Sequence, residues 1–178
     1  MVINTKRKGC NMVYFTKYLS PLGELLLTVE EGCLTGLFLD TQSCPNVQMQ
    51  QRDDLPVFDT IRDCLDRYFR GEAPSIEPLP LSPFGSAFQM QVWDILRRIP
   101  YGQTITYGDI AKELARLTGK ETMSAQAVGQ AVGRNPISIL IPCHRVVGAG
   151  GKLTGYAGGL DKKIWLLRHE GWYKEEKT

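Results

Sequence analysis

The sequence predicts an α+β fold: an N-terminal small antiparallel-sheet domain with a helix, residues 1–84, then a C-terminal mainly helical domain with a helix-turn-helix, residues 85–178. Three features predict it. Short β-prone runs separated by turn residues reach to residue 40, a single amphipathic stretch follows, and three helical segments come in succession after a proline-rich link.

The runs MVYFTKYLS (12–20), GELLLTVEE (23–31) and CLTGLFLD (33–40) are broken by Pro21-Leu22-Gly23 and Glu31-Gly32. That is the punctuation of a hairpin-rich antiparallel sheet. Residues 41–54 are polar, rich in Gln and without a period, and suit an exposed loop. In 55–70, Val57, Ile61, Leu65 and Phe69 recur every fourth residue as one apolar stripe, and Gly71 suits the position just past the helix. Cys64 lies beside the stripe and reads as a small core residue. Pro74, Pro78, Pro80 and Pro83 keep residues 72–85 out of any helix and suit an edge strand leading into an interdomain link.

Ser86-Ala87-Phe88-Gln89 has capping-box spacing, and Phe88, Val92 and Ile95 or Leu96 give the next helix its buried face. Pro100-Tyr101-Gly102 ends it. A helix from about Tyr107 to Leu117 would turn Ile110, Ala111, Leu114 and Leu117 inward. A polar turn containing Gly119 leads to a further helix over Ser124–Gly133, and the pair suits a helix-turn-helix. This last helix is almost entirely Ala, Val, Gly and Gln, although each interior Gly costs about 1 kcal/mol relative to Ala. Such small residues serve tight helix packing or close approach to a nucleic-acid groove. In the second case their short side chains read few base edges, which describes a weakly sequence-specific binder.

Composition narrows the class. Hydrophobic residues make up 43% and charged residues 22%, ordinary for a globular protein. No apolar run approaches the roughly 20 residues that span a bilayer. The basic start MVINTKRKGC is not followed by an apolar signal region, so a cytoplasmic location is expected. The five cysteines (Cys10, Cys33, Cys44, Cys64, Cys143) are scattered without a CxxC pair, and the histidines are His144 and His169. That argues against a disulfide framework and a zinc site and leaves reduced thiols. Residues 1–84 carry 8 Lys/Arg and 11 Asp/Glu, whereas residues 85–178 carry 13 and 8. The asymmetry is either chance scatter or the mark of a second half that meets a polyanion.

Ile137–Ile141 reads as a buried strand that Pro142 terminates, leaving Cys143 and His144 where the chain departs from the core. Taken alone, a cysteine there is a structural residue. Neighbours in an extended chain also face opposite ways, so contact with His144 needs a turn or a bridging water. Two further features point to chemistry. Gly148, Gly150, Gly151, Gly155, Gly158 and Gly159 suit a loop closing round a ligand, and the helix in DKKIWLLRHEG brings up Glu170. A carboxylate orienting a histidine that draws a proton from a thiol is the order of an activated nucleophile.

Pro142-Cys143-His144-Arg145-Val146 resembles the active-site signature of the O6-alkylguanine-DNA alkyltransferases, the methylated-DNA–protein-cysteine methyltransferases. The resemblance runs in order from about Phe88 to Trp172, through TYGDIA, AVGQAVGRNPISI, IPCHRVVG, TGYAGG and WLLRHEG. The first half resembles the family's variable N-terminal domain only in its strand-then-helix pattern. The resemblance places the active-site Cys in the C-terminal domain and implies irreversible, single-turnover transfer of an alkyl group from O6-alkylguanine, with O4-methylthymine a second candidate, to Cys143. His144 would be the base, acting through a water, with Glu170 orienting it and Asn135 bracing the turn before the active-site segment. Tyr107, Arg145, Val146, Gly155, Tyr156 and Ala157 would bind the substrate, and Thr106, Ala125, Gln126, Ala127, Gly129 and Arg134 the DNA. Two positions depart from the pattern: Gln126 stands where many members insert an Arg into the duplex, and Ala157 where members often carry Ser. The implied partner is double-stranded DNA with alkylated bases, met by a monomer without membrane, metal or cofactor. A cysteine hydrolase would need an oxyanion hole and an attacking water. A lesion-binding protein that accepts no alkyl group would lack the cysteine.

Overall fold

The computed structural model describes residues 12–40, 42 and 47–172; Cys10, Cys44 and the basic start lie outside them. It divides into two compact units. One comprises the chain up to Ala87 together with Pro136–Leu140, the other Phe88–Asn135 together with the chain from Ile141 onward.

In the first unit, β1 (Val13–Ser20), β2 (Gly23–Glu30) and β3 (Cys33–Leu39) form an antiparallel meander in the expected places. Leu25, Leu27 and Val29 alternate along β2 and are all buried, the period-2 face that fixes register. The sheet has a fourth strand that the polar loop expectation missed. β4 (Met49–Gln51) runs parallel to β1 from Val13↔Met49 to Phe15↔Gln51, giving the order β3-β2-β1-β4. Its Met-Gln-Gln sequence has no buried face, so hydropathy could not reveal an edge strand held by backbone bonds alone.

Helix α1 (Pro56–Phe69) starts with Pro at its first turn, where the missing N–H is no loss. Ile61 and Leu65 are buried as expected, whereas Val57 and Phe69 are only half-buried and Phe58, Cys64 and Tyr68 complete the buried face. Steps of four overrun a 3.6-residue turn, so the true face mixes threes and fours. The proline-rich stretch contributes one bridge, Leu34↔Leu81, instead of a strand.

In the second unit, α2 (Ala87–Leu96) is tied to α4 (Ala125–Gly133) by Trp93 Nε1 donating to Ala131 O at 2.9 Å. Helix α3 (Tyr107–Thr118) and α4 form the helix-turn-helix pair. Thr106 and Ser124 cap them, each accepting from a backbone N–H three residues on. Gly119 takes the left-handed conformation (φ 66°) at the end of α3 that a side chain would strain. Ala115 is buried where Leu117 was expected; Leu117 is 52% exposed. Two short strands, β5 (Ile105–Thr106) and β6 (Val146–Val147), pair in parallel, and α5 (Leu160–His169) completes the unit.

Residues 137–141 are not a strand. They make one bridge, Leu37↔Ile137, and then turn. Leu140 N donates to Ser138 O at 2.7 Å around Ile139, whose φ is +68°. A β-branched residue there carries strain of about 1–3 kcal/mol. Cys143 N then donates to Ile141 O at 2.8 Å around Pro142 (φ −80°, ψ 67°), an inverse γ-turn. Prolines at 136 and 142 offer no N–H to a ladder, so the apolar run folds into two tight turns instead.

Candidate active site

These turns deliver Cys143 to the start of a single 3-10 turn, Cys143–Arg145, which leads straight into β6. Cys143 and His144 are therefore wound rather than extended, and both are buried, at 4% and 0% exposure. Asn135 joins the two sides of the bend: its Nδ2 donates to Ile141 O at 2.7 Å and to Cys143 Sγ at 3.2 Å.

Behind the thiol lies a buried polar cluster. His144 Nε2 is 2.7 Å from Glu170 Oε1, just past the end of α5. An N–H donated there leaves the lone pair on Nδ1, which is buried without a hydrogen-bond partner in the protein. Arg145 grips the same carboxylate in a fork, Nε to Oε2 at 2.8 Å and Nη2 to Oε1 at 3.0 Å, and its Nη1 donates to Ile99 O at 2.6 Å. Gly102 N adds a bond to Glu170 Oε2 at 3.1 Å. Gly102 adopts φ 72°, and a Cβ there would stand 2.8 Å from Glu170 O, so no other residue closes that corner.

Electrostatics follow from this burial. Burial alone would raise the Glu170 carboxyl, but the hydrogen bonds from His144 and Arg145 and the Arg145 charge prevail and hold it well below the carboxylate range. Burial lowers the His144 imidazole despite Glu170, keeping it neutral. Burial pushes the Cys143 thiol up, against the pull of Asn135, the Lys163 charge and Tyr156. The thiol is thus not a standing thiolate, and a base must take its proton.

Lys163 is the functional side chain that the sequence reading missed. It is fully buried; its Nζ donates to Val146 O at 2.6 Å and to Thr154 O at 3.2 Å, and burial lowers its ammonium to about 8. A signal was present: 163, 166, 167 and 170 share one face of a helix, and Leu166, Leu167 and Glu170 are buried with it.

The other expected residues fall in two groups. Near the thiol, Tyr107 opens α3 directly after β5, whose partner β6 directly follows the 3-10 turn. Val146 is buried with its carbonyl engaged by Lys163. Tyr156 is half-buried, while Gly155 and Ala157 are exposed on the loop. Arg145, expected at the substrate, instead directs its guanidinium to Glu170 and Ile99. On the helix-turn-helix, Ala125, Gln126 and Arg134 are exposed, and Ala127, Gly129 and Thr106 are half-buried. Among the described residues, no group of three or more His, Cys, Asp or Glu could hold a metal ion.

A thiol with a neutral histidine and a fixed carboxylate behind it, in a unit that also carries a helix-turn-helix, defines a thiol group-transfer protein built to meet nucleic acid. Comparison with known proteins agrees. Residues 87–172 match the family model for the 6-O-methylguanine DNA methyltransferase DNA binding domain, and residues 13–83 that for its ribonuclease-like domain. A methylated-DNA–protein-cysteine methyltransferase of Haemophilus influenzae is 43% identical over 159 residues, covering 89% of this chain and 86% of the relative. One of Methanosarcina acetivorans is 42% identical over 160 residues, covering 89% and 99%. The crystal structure of Mycobacterium tuberculosis OGT in complex with DNA superposes with a TM-score of 0.76 at 38% identity, covering 89% of this chain and 92% of that one. The chain belongs to the methylated-DNA–protein-cysteine methyltransferase family.

Proposed function

We propose that this chain repairs alkylated double-stranded DNA by moving the alkyl group from O6 of guanine onto Cys143, once per molecule. The observation that carries the reading is the polar contact of a buried sulfur: Asn135 Nδ2 at 3.2 Å from Cys143 Sγ, with the His144–Glu170 pair at 2.7 Å in the adjoining position. Glu170, clamped by Arg145, keeps the proton on His144 Nε2, so that Nδ1 takes the thiol proton through a water. The sulfur attacks the alkyl carbon as the C–O6 bond breaks, and the electron pair departs with the base. Tyr107 donates a hydrogen bond to the leaving base. The thioether product has no ionisable proton and no easy reverse reaction, and the balance of atoms calls for no cofactor.

The base must leave the stack first, at a cost of a few kcal/mol that is least for a damaged pair. In this reading residues 85–178 supply that work and residues 1–84 support them. The exposed face of α4, with Ala125, Gln126, Ala127 and Gly129, enters the groove, and Thr106 and Arg134 meet phosphate. Gln126 fills the gap and hydrogen-bonds the orphaned base. The loop Gly155-Tyr156-Ala157 borders the pocket, and Val146 and its neighbours present backbone groups to the base edge. Arg145 acts through Glu170 rather than on the substrate. We assign the protein to the cytoplasm as a monomer. No helix of the described residues is long and apolar enough to cross a membrane.

The test is a mass measurement. Incubation with a duplex containing O6-methylguanine is expected to add one methyl, on the peptide containing Cys143, in amounts that never exceed the protein. Multiple turnovers, or a methyl on Cys33 or Cys64, would overturn the assignment.

A further inference from the structure

Tyr107 is held from three sides. Its backbone begins α3 immediately after the β5 pairing, its ring lies on α4 where a Cβ on Gly129 would be 3.7 Å from Cδ1 and Cε1, and its hydroxyl meets Thr154. In that last contact Thr154 Oγ1 donates to Tyr107 Oη at 3.1 Å. Thr154 is itself anchored, since its carbonyl accepts from the buried Lys163 Nζ at 3.2 Å, and the same ammonium holds Val146 O at 2.6 Å.

The direction of the Thr154 bond matters. A phenol has one proton to give and two lone pairs to receive with. Because Thr154 fills one lone pair, the Tyr107 proton cannot point at Thr154 and must point elsewhere. A hydroxyl that accepts one hydrogen bond also donates the next more strongly. From these contacts we infer that Thr154 is a positioning residue that makes Tyr107 an obligate donor towards the leaving base. Lys163 fixes the threonine, and so ties the segment carrying Cys143 to the loop that sets the donor. This rests on the proposed alkyl transfer and deepens it. The developing negative charge on the purine meets a proton already aimed at it, which lowers the barrier to C–O6 cleavage without altering how tightly the duplex binds.

The experiment uses single-turnover transfer from an O6-methylguanine duplex at saturating protein, with duplex affinity measured separately. Thr154→Val keeps the shape and removes the donor. It is expected to slow transfer about tenfold while duplex affinity stays within about twofold. Thr154→Ser, which restores the hydroxyl, is expected to recover the rate. Thr154→Val in a Tyr107→Phe background is expected to add no further slowing, because the group it orients is gone. A merely structural threonine would slow both backgrounds alike, and that outcome overturns the inference. So does a Thr154→Val rate within twofold of the parent, or a loss confined to duplex affinity. If the parent protein leaves Cys143 unmethylated, the proposed function itself falls, an outcome distinct from a methylated parent indifferent to Thr154.

Discussion

Each unit contains an arginine–carboxylate cluster with a third polar member, and the two behave differently because the charges of one are exposed and those of the other buried. In the first unit, Arg62 Nη2 donates to Thr16 Oγ1 at 2.7 Å, Thr16 bonds Asp53, and the Arg62 and Asp53 side chains are 27% and 62% exposed. In the second, Arg145, Glu170 and His144 are 11%, 0% and 0% exposed. Water screens the Arg62 and Asp53 charges of the first cluster, although the Thr16 hydroxyl between them is buried. Burial leaves the second largely unscreened, and losing one member there strands the charge or lone pair of the others.

The sharpest way to break that contrast is to remove the shared carboxylate. Glu170→Ala is expected to lower stability by roughly 3–5 kcal/mol in urea unfolding and to slow alkyl transfer at least about a hundredfold, since Arg145 is left unpaired and His144 unoriented. The pH dependence has a definite sign. The folded Glu170 carboxyl lies below its unfolded value of about 4.3, so its contribution is whole above that pH and fades as the pH falls towards the folded value. Glu170→Gln should therefore lose acid-side slope in the unfolding curve.

Lys163 provides a subtler test of burial. Its folded ammonium titrates at about 8 against about 10.4 unfolded, so between these values the unfolded chain binds more protons and stability rises with pH. The raised Cys143 thiol has the opposite slope, because the folded chain keeps that proton longer. Methylation abolishes the Cys143 thiol and leaves only the raised Cys64 thiol opposing Lys163. The methylated protein is expected to gain stability from pH 8 to 10 in thermal melts, and its Lys163→Met variant to lose that gain. Smaller again is the effect at the exposed surface of α4. Gln126→Arg should tighten duplex binding about threefold at low salt, and the gain should shrink as salt rises. Smallest of all, Asp53→Asn, which keeps an acceptor for Thr16 and removes only the screened charge, should cost under about 1 kcal/mol and leave alkyl transfer unchanged.

The contrast between exposed and buried also marks what the sequence could and could not disclose. β1 to β3, α1, α3 and α4 were legible because each has a solvated side and a buried side, and periodicity records exactly that asymmetry. β4 was not, because no side chain of Met49–Gln51 is buried and only its backbone bonds matter. Leu117 has the right spacing but lies in the last turn of α3; a period marks a face without saying how far the neighbour covers it. The 137–141 run misled in the other direction, since uniform burial looks the same in a strand and in a pair of buried turns. Of the buried site, Cys143, His144 and Glu170 stood out by residue type. Lys163 was hidden by its own polarity, although its helical position matched Leu166 and Leu167, and the Arg145 fork could be found only with Glu170 beside it.

Helix α5 comes after Cys143 in the chain, yet it carries Lys163 and leads into Glu170. A chain cut short before Leu160 would keep Asn135, Cys143 and His144 but lose the ammonium that holds Val146 O and the carboxylate that orients His144. Its thiol would have no positioned base behind it. The last helix is therefore the piece whose docking turns a buried cysteine into a nucleophile.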